Sequence, residues 1–386
     1  MRVHLSTEQQ AVHSAACEWA SRSADGGMRT RAVRGLAGTG KTVVAAAIAD
    51  DLTSSGVRVA VVASTGKAAH VLRGKGIAAT TVHASTYLLV GDGVDGPEFR
   101  LRDRMVGEPD VVVCDEASML TRDQLADLLR RVPKVLLVGD HGQLPPVSGD
   151  GALAEVDGWD LHEVHRQALD SGVVRFAHAL REGASIQDAA RAGAPDVVLG
   201  KPRHLPGTVL VARNDARVRL NQALRKQVHA AHTRVPAWPI ARDRVVCLSN
   251  HRRGAIAKDA EAWSRAGAGG PWCNGTIADV TSSASPSSTS ADALCAFEAL
   301  CDDGVVRSGR AWLRQLSEAD TLPAEAHDRA RMEARFAWGW ALTVHKAQGS
   351  EWDDVLVVGD GFGSAEEVRA WRYTAATRAR ARVGGW

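Results

Sequence analysis

The 386-residue chain has no run of about 18 apolar residues, the length that lets a helix cross a bilayer, so no membrane-spanning helix is expected. Its opening stretch, MRVHLSTEQQAVHSAA, lacks the uninterrupted apolar core of a secretion signal, and a cytoplasmic protein is expected. None of the six cysteines (Cys17, Cys114, Cys247, Cys273, Cys295 and Cys301) forms a CxxC pair. That removes the usual spacing of a zinc site and leaves reduced, mostly buried thiols as the expectation. No fixed-period repeat is present, which excludes solenoids and propellers. Charge of one sign is not in excess either: 47 basic and 45 acidic residues give a net +2, so any basic surface must be local. What remains is an ordinary globular composition, 45% hydrophobic and 24% charged, in a chain long enough for two or three domains.

The first 150 residues alternate short β-branched runs with helical patterns. Val59 to Ala63, Val111 to Cys114 and Val135 to Val138 read as strands buried on both faces, with helices over Thr42 to Thr53 and Thr121 to Arg131 between them. That alternation implies an α/β fold with a doubly wound parallel sheet. Residues 87–108 break the pattern with two short strands about a Gly/Pro/Asp turn, an insertion rather than a core element. After Gly149 a second α/β region follows, with a strand at 209–214, the helix DARVRLNQALRKQ, a strand at 355–360 and a helix from Glu366. Residues 246–331 are irregular, with the low-complexity stretch SSASPSSTSADA between strand-like NGTIADV and VVRSGRAWL, as expected of a small inserted β module.

Three segments carry chemistry. GLAGTGKT (35–42) fits GxxxxGK[ST]: Gly35, Gly38, Thr39 and Gly40 let backbone N–H groups turn toward phosphate oxygens, Lys41 brings a point charge, and the Thr42 hydroxyl suits Mg2+. VVVCDE (111–116) ends a buried strand on two acids, Asp115 placed to hold Mg2+ and Glu116 to polarise an attacking water; by itself such a pair could equally be a helix N-cap. VGDHGQLPP (138–146) ends a third strand, with Gln143 able to orient water; alone it could be a polar turn.

The order of these and further segments is specific. LSTEQQA (5–11), GLAGTGKT, ASTGKAA (63–69), TVH (81–83), DEASML (115–120), GDHGQLPPV (139–147), LHEVHRQA (161–168), ALTVHKAQGSEWD (341–353) and WRYTAATRAR (371–380) resemble the Q motif and motifs I, Ia, Ic, II, III, IV, V and VI of RecD-like superfamily 1B helicases. The resemblance runs from Leu5 to Arg380 and is thinnest over 250–330. It implies Gln9 at the adenine, and Gly349 and Glu351 near the nucleotide. It further implies Arg166 and Arg378 as arginine fingers, and Ser64, Thr65, His83, Thr343, His345 and Lys346 facing nucleic acid. Ser64 stands where that family usually has proline. His83 and His345 could instead be core histidines. Of the eleven tryptophans, Trp338, Trp340 and Trp371 are expected in the core, while Trp272 is the better candidate for stacking on bases.

The resemblance further implies two RecA-like P-loop domains: 1–155 with the ATP site and a β-hairpin wedge at 87–108, and 156–245 with 332–386, carrying an SH3-like β insertion at 246–331. The implied activity is ATP-driven, 5′-to-3′ movement on single-stranded DNA with separation of forked duplex, using ATP and Mg2+. A monomer is expected, and a nuclease, relaxase or replication partner would be a separate protein. Two alternatives stay open: a translocase that does not unwind, and a non-motor P-loop enzyme such as a small-molecule kinase.

Overall fold

The computed structural model describes residues 4–22, 28–93, 96–200, 207–248, 272, 274–286, 288, 290, 293–317, 335–359 and 361–386, with the side chains of 89, 91–98, 166 and 167 outside that description. In chain order the elements to residue 200 are α1 (Thr7–Ser21), β1 (Thr30–Gly35), α2 (Lys41–Ser54), β2 (Val59–Ala63), α3 (Gly66–Gly74), β3 (Ala79–Thr81), α4 (Val82–Thr86), β4 (Tyr87–Gly93), β5 (Gly96–Leu101), β6 (Val111–Asp115), α5 (Arg122–Leu129), β7 (Lys134–Gly139), β8 (Gly158–Leu161), α6 (Arg166–Leu169), α7 (Gly172–Arg181), α8 (Ile186–Gly193) and β9 (Val197–Leu199). Then come β10 (Thr208–Val211), α9 (Asn214–Val228), β11 (Arg244–Cys247), β12 (Ile277–Ser283), β13 (Leu294–Cys301), β14 (Val306–Trp312), α10 (Leu313–Ser317), β15 (Phe336–Trp338), β16 (Ala341–Thr343), α11 (Val344–Ala347), β17 (Trp352–Val358), α12 (Ala365–Ala376) and β18 (Ala379–Gly385). The chain falls into two compact units, Met1–Lys201 with Gln348–Asp353 and Asp360–Trp386, and Pro202–Ala347 with Asp354–Gly359.

The first unit is built on a six-stranded sheet in the order β3-β2-β6-β7-β1-β8, paired in parallel throughout. Its central strands β6 and β7 are buried at every residue, which is why they read as unbroken apolar runs instead of alternating ones. Helices cover both faces. On one, Val12, Ala16 and Trp19 of α1 and Ile48 and Leu52 of α2 pack on Val33, Val113, Leu136 and Val138. On the other, Leu125 and Leu128 of α5 meet Val112, Cys114 and Leu137. A fully buried Leu or Ile of this kind is worth roughly 1.5–3 kcal/mol. The C-terminal carbonyls of α1 receive the buried Lys134 ammonium, which donates to Trp19 O at 2.5 Å, Ala20 O at 3.1 Å and Arg22 O. A cation there satisfies carbonyls with no partner inside the helix and sits at the negative end of its dipole. In the same unit β18 pairs in parallel with β9, and Phe176 of α7 packs edge-on against Trp386 at 5.1 Å.

Between β3 and β6 the chain leaves the sheet as the antiparallel hairpin β4–β5, pairing Tyr87 with Leu101 at its base and Gly93 with Gly96 at its tip. The second unit has a parallel core, β10 flanked by β16 and β17, and an antiparallel sheet in the order β14-β13-β12-β11-β15. The antiparallel core centres on Phe297, Phe336 and Trp272. The expectation of a base-stacking role for Trp272 is overturned: it is 2% exposed, edge-on to Phe336 at 4.8 Å, with Nε1 donating to Ser308 O at 2.8 Å. An indole that can satisfy its N–H inside an aromatic core is buried there, because burial of its large apolar surface outweighs any surface role. Trp338, Trp340 and Trp371 are buried as expected, and no described helix is long and apolar enough to cross a membrane.

Candidate nucleotide-hydrolysis site

The residues singled out as phosphate-binding and water-activating meet in the first unit, at the C-terminal ends of β1, β6 and β7, where open parallel sheets bind their ligands. The loop after β1 turns through Gly38 (φ 88°) and Gly40 (φ 76°), backbone that side-chain-bearing residues rarely adopt. Space forbids a substitution as well: a Cβ on Gly40 would lie 2.4 Å from Gln9 Nε2, and one on Gly38 2.7 Å from Ala168 Cβ. Gly35, at the end of β1, is packed against Thr39 and Leu161, and Thr39 donates its hydroxyl to Leu36 O at 3.0 Å. Lys41 opens α2, its Nζ donating to Leu36 O at 2.8 Å and lying 3.6 Å from Asp140 Oδ2.

Thr42 donates to Asp115 Oδ2 at 3.1 Å, and Asp115 Oδ1 accepts from Glu116 N at 2.9 Å. Glu116 takes a left-handed conformation (φ 53°, ψ 39°), a cost of order 1–3 kcal/mol for a non-glycine residue, of the kind that clusters at functional sites. Ser64 holds this turn by donating to Glu116 O at 2.9 Å. Burial pushes the Asp115 and Glu116 carboxyls above the ordinary range. The Asp115 charge adds to this at Glu116, while Arg378 and Lys41 pull it back. Such a pair holds more negative charge than its surroundings neutralise. Thr42 and Asp115 supply hard oxygen donors that fit a Mg2+ ion, and no cluster of three or more His, Cys, Asp or Glu among the described residues offers a cage of its own.

Sequence reasoning passed over Asp140 and Tyr373. Asp140 is 1% exposed; its Oδ1 accepts from Gly142 N at 2.9 Å, and its Oδ2 from the Tyr373 hydroxyl at 2.7 Å and from Gln143 Nε2 at 3.4 Å. Gln143 Oε1 is buried without a hydrogen-bond partner, an acceptor aimed at no donor of the chain. Tyr373, fully buried on α12, also accepts from Ala37 N of the phosphate loop at 2.6 Å. Both lie inside quoted segments, GDHGQLPPV and WRYTAATRAR, and that was their one signal.

Arg378 follows α12 and is 4% exposed, donating to Thr374 O and Ser350 O at 3.2 Å each and to Thr377 Oγ1 at 3.1 Å. Arg166 opens α6; its side chain lies outside the described residues. Gln9 is buried: its Oε1 accepts from Ser6 N, and its Nε2 donates to Thr39 O and touches His165 Nε2. Gly349 (φ 74°) packs on Thr65, and Glu351 is exposed.

The residues expected to face nucleic acid divide between the units. In the first, Thr65 caps α3 by accepting from Ala68 N at 3.1 Å. His83 is exposed, so it is not a core histidine, and it lies beside Tyr87 (5.3 Å) and Phe99 (5.8 Å) at the hairpin base. In the second, Thr343 is buried and accepts from Lys346 N at 3.4 Å, His345 is half-buried with its pKa lowered by desolvation, and Lys346 is exposed.

The family described as AAA domain matches residues 4–198, half of the chain, and that described as UvrD-like helicase C-terminal domain matches residues 339–384. The chain belongs to the AAA-domain family. Among its relatives, the ATP-dependent RecD2 DNA helicase of Deinococcus radiodurans is 38% identical over 165 residues, covering 41% of this chain and 22% of that protein. The RecBCD enzyme subunit RecD of Mycobacterium tuberculosis is 29% identical over 324 residues, 78% of this chain and 53% of that one. The chain thus spans between about a fifth and about a half of these curated relatives. Among solved structures, Pif1 helicase from Bacteroides in complex with ADP-AlF3 and single-stranded DNA aligns over 100% of this chain and 92% of that one, with a TM-score of 0.58 at 15% identity. Pif1 helicase from Candida albicans aligns over 100% and 94%, with a TM-score of 0.56 at 19% identity. These likenesses show a RecA-like α/β fold for the AAA-domain chain.

Proposed function

We propose that this chain hydrolyses ATP to drive 5′-to-3′ movement along single-stranded DNA and to separate forked duplex. One observation carries the ATPase reading: a phosphate loop, a hydroxyl–carboxylate pair for Mg2+, a strained glutamate and a buried arginine stand together at the C-terminal ends of one parallel sheet. Lys41 and the loop amides would take the phosphates, and Thr42 and Asp115 the ion, which would draw charge from the γ-phosphoryl oxygens. Glu116 would accept the proton of the attacking water, and burial, by raising its pKa, makes it a stronger base. Gln143, with its free acceptor, would orient that water. Arg378, and Arg166 with it, would meet the negative charge that develops in transfer.

The nucleic-acid reading rests on the shared motif order and on a relative named as an ATP-dependent DNA helicase. The surface at His83 and the half-exposed Phe99, at the base of β4–β5, suits bases; the hairpin would be the wedge, and the antiparallel sheet of the second unit the SH3-like insertion. Its partner would be a nuclease, relaxase or replication protein.

ATP turnover with and without single-stranded DNA, with Lys41→Ala as control, tests this. Strong stimulation that requires Lys41 is expected. Turnover indifferent to DNA would return the chain to the small-molecule P-loop enzymes, and stimulation without unwinding of a forked duplex would leave a translocase.

A further inference from the structure

Tyr373 occupies a junction that the hydrolysis scheme above does not use. Its ring is fully buried, and its hydroxyl lies between Ala37 N (2.6 Å) and Asp140 Oδ2 (2.7 Å). A phenol has one proton. Here it goes to the carboxylate, and an oxygen lone pair takes the amide N–H. Burial and the Asp140 charge push the phenol's pKa far up, so that proton stays in place.

Asp140 is itself contested. Lys41 Nζ stands 3.6 Å from the oxygen that Tyr373 holds, while donating to Leu36 O. The next residue ties the same helix to the same loop: Thr374 Oγ1 accepts from Leu144 N at 2.9 Å, and Leu144 O accepts from Gln348 Nε2 at 2.9 Å. One turn on, Arg378 Nε donates to Thr374 O. The backbone that sets the guanidinium is therefore fastened to the phosphate loop through Tyr373 and to the 140–144 loop through Tyr373 and Thr374.

We propose that Tyr373 is a positioning residue for hydrolysis, its hydroxyl coupling the charge balance between Lys41 and Asp140 to the placement of Arg378. The inference rests on the ATPase reading above. A triphosphate competes for the Lys41 ammonium. Asp140, relieved of that partner, keeps Tyr373, Gly142 and Gln143 as donors and draws on them more strongly, because an anion in a low-dielectric site holds its remaining donors tighter. Filling the loop thus firms the helix end that leads into Arg378, without Tyr373 touching nucleotide.

Tyr373→Phe keeps the ring and removes only the oxygen. Per folded molecule, kcat of DNA-saturated ATP hydrolysis should fall about 10-fold or more, with KM for ATP and nucleotide-free affinity for single-stranded DNA within about 2-fold. A merely structural defect would lower the folded fraction and leave kcat per folded molecule alone. The decisive arm is the Arg378→Ala background, where Tyr373→Phe should cost less than about 2-fold, because a residue that acts through Arg378 has nothing left to position. Asp140→Asn removes the charge that receives the phenol proton. It should show the same kcat loss and the same non-additivity, and it serves as the test if Tyr373→Phe does not fold. A kcat within 2-fold of wild type in the variant tested, or losses that multiply on the Arg378→Ala background, would overturn the inference while leaving the ATPase reading intact. A wild-type protein without nucleotide turnover would remove both.

Discussion

Replacing Glu116 with glutamine should make the nucleotide-free protein more stable while removing its turnover. Asp115 and Glu116 are neighbours at the end of a buried strand, and burial and mutual repulsion hold both carboxyls above their ordinary values. A carboxyl whose folded pKa is raised binds its proton more tightly folded than unfolded. Stability is then fully present below the ordinary carboxylate value and lost as pH rises through the raised one. As pH rises through that raised value, the wild type comes to carry a strained, ionised pair. The glutamine side chain has the same shape and no charge, so it relieves both the desolvation and the repulsion. Each unit of pKa relieved corresponds to about 1.4 kcal/mol, and each kcal/mol moves Tm by about 2–4 °C in domains of this size. Differential scanning calorimetry of apo wild type and Glu116→Gln between about pH 5 and 8 should show a gap that opens with rising pH and closes toward the acid end. Mg2+ with a non-hydrolysable ATP analogue should narrow the gap, since the cation neutralises the pair. Turnover should fall roughly 10²–10⁴-fold, the usual worth of a general base, with analogue affinity nearly unchanged. Equal melting of the two proteins at pH 8, or loss of nucleotide affinity in step with rate, would refute the reasoning and make Glu116 a metal holder.

Arg378→Ala should lower kcat by at least about 10²-fold, because a fixed cation at the phosphoryl group is commonly worth 10³ to 10⁵ in rate; Arg378→Lys should not restore it, since a flexible point charge does not replace the planar fork. Normal kcat with a shallower salt dependence of DNA binding would make Arg378 a DNA-phosphate contact instead. Unwinding should require a 5′ single-stranded tail, and shortening the β4–β5 hairpin should impair unwinding more than ATPase. A preference for 3′ tails would remove the direction, and equal loss of both activities would remove the wedge.

The sheet was legible because burial on both faces leaves a local trace. β6 and β7 carry continuous apolar runs, and Asp115 ends the first while the Asp140–Gln143 turn follows the second. The phosphate loop was legible because its spacing fixes its geometry. Asp140 and Tyr373 were not, since their bond joins positions 233 residues apart, and neither flank signals the partner. Trp272 misled for the opposite reason: its neighbours in sequence suggest a surface turn, while the rings that bury it, Phe297 and Phe336, are remote in the chain. The hydroxyls of Ser64 and Thr65 serve the Glu116 turn and the α3 N-cap, a local use the resemblance does not mention.

Gln9 shows how one residue can carry two signals. The spacing of Ser6 and Gln9 is that of a capping box, and α1 opens with both of its reciprocal bonds formed. The cap uses the Oε1 of Gln9 and leaves its Nε2, which reaches Thr39 O in the phosphate loop at 3.0 Å and His165 Nε2 at 2.5 Å. A single amide therefore starts the first helix and braces the phosphate loop at Thr39, 30 residues further along the chain. His165 reaches the same loop independently, its own N–H donating to Gly38 O at 3.1 Å. A side chain at Gly40 would strike both Gln9 and His165. The glycine pattern of the phosphate loop is thus dictated from two sides, by the phosphates it is shaped to hold and by the two side chains already packed against its back.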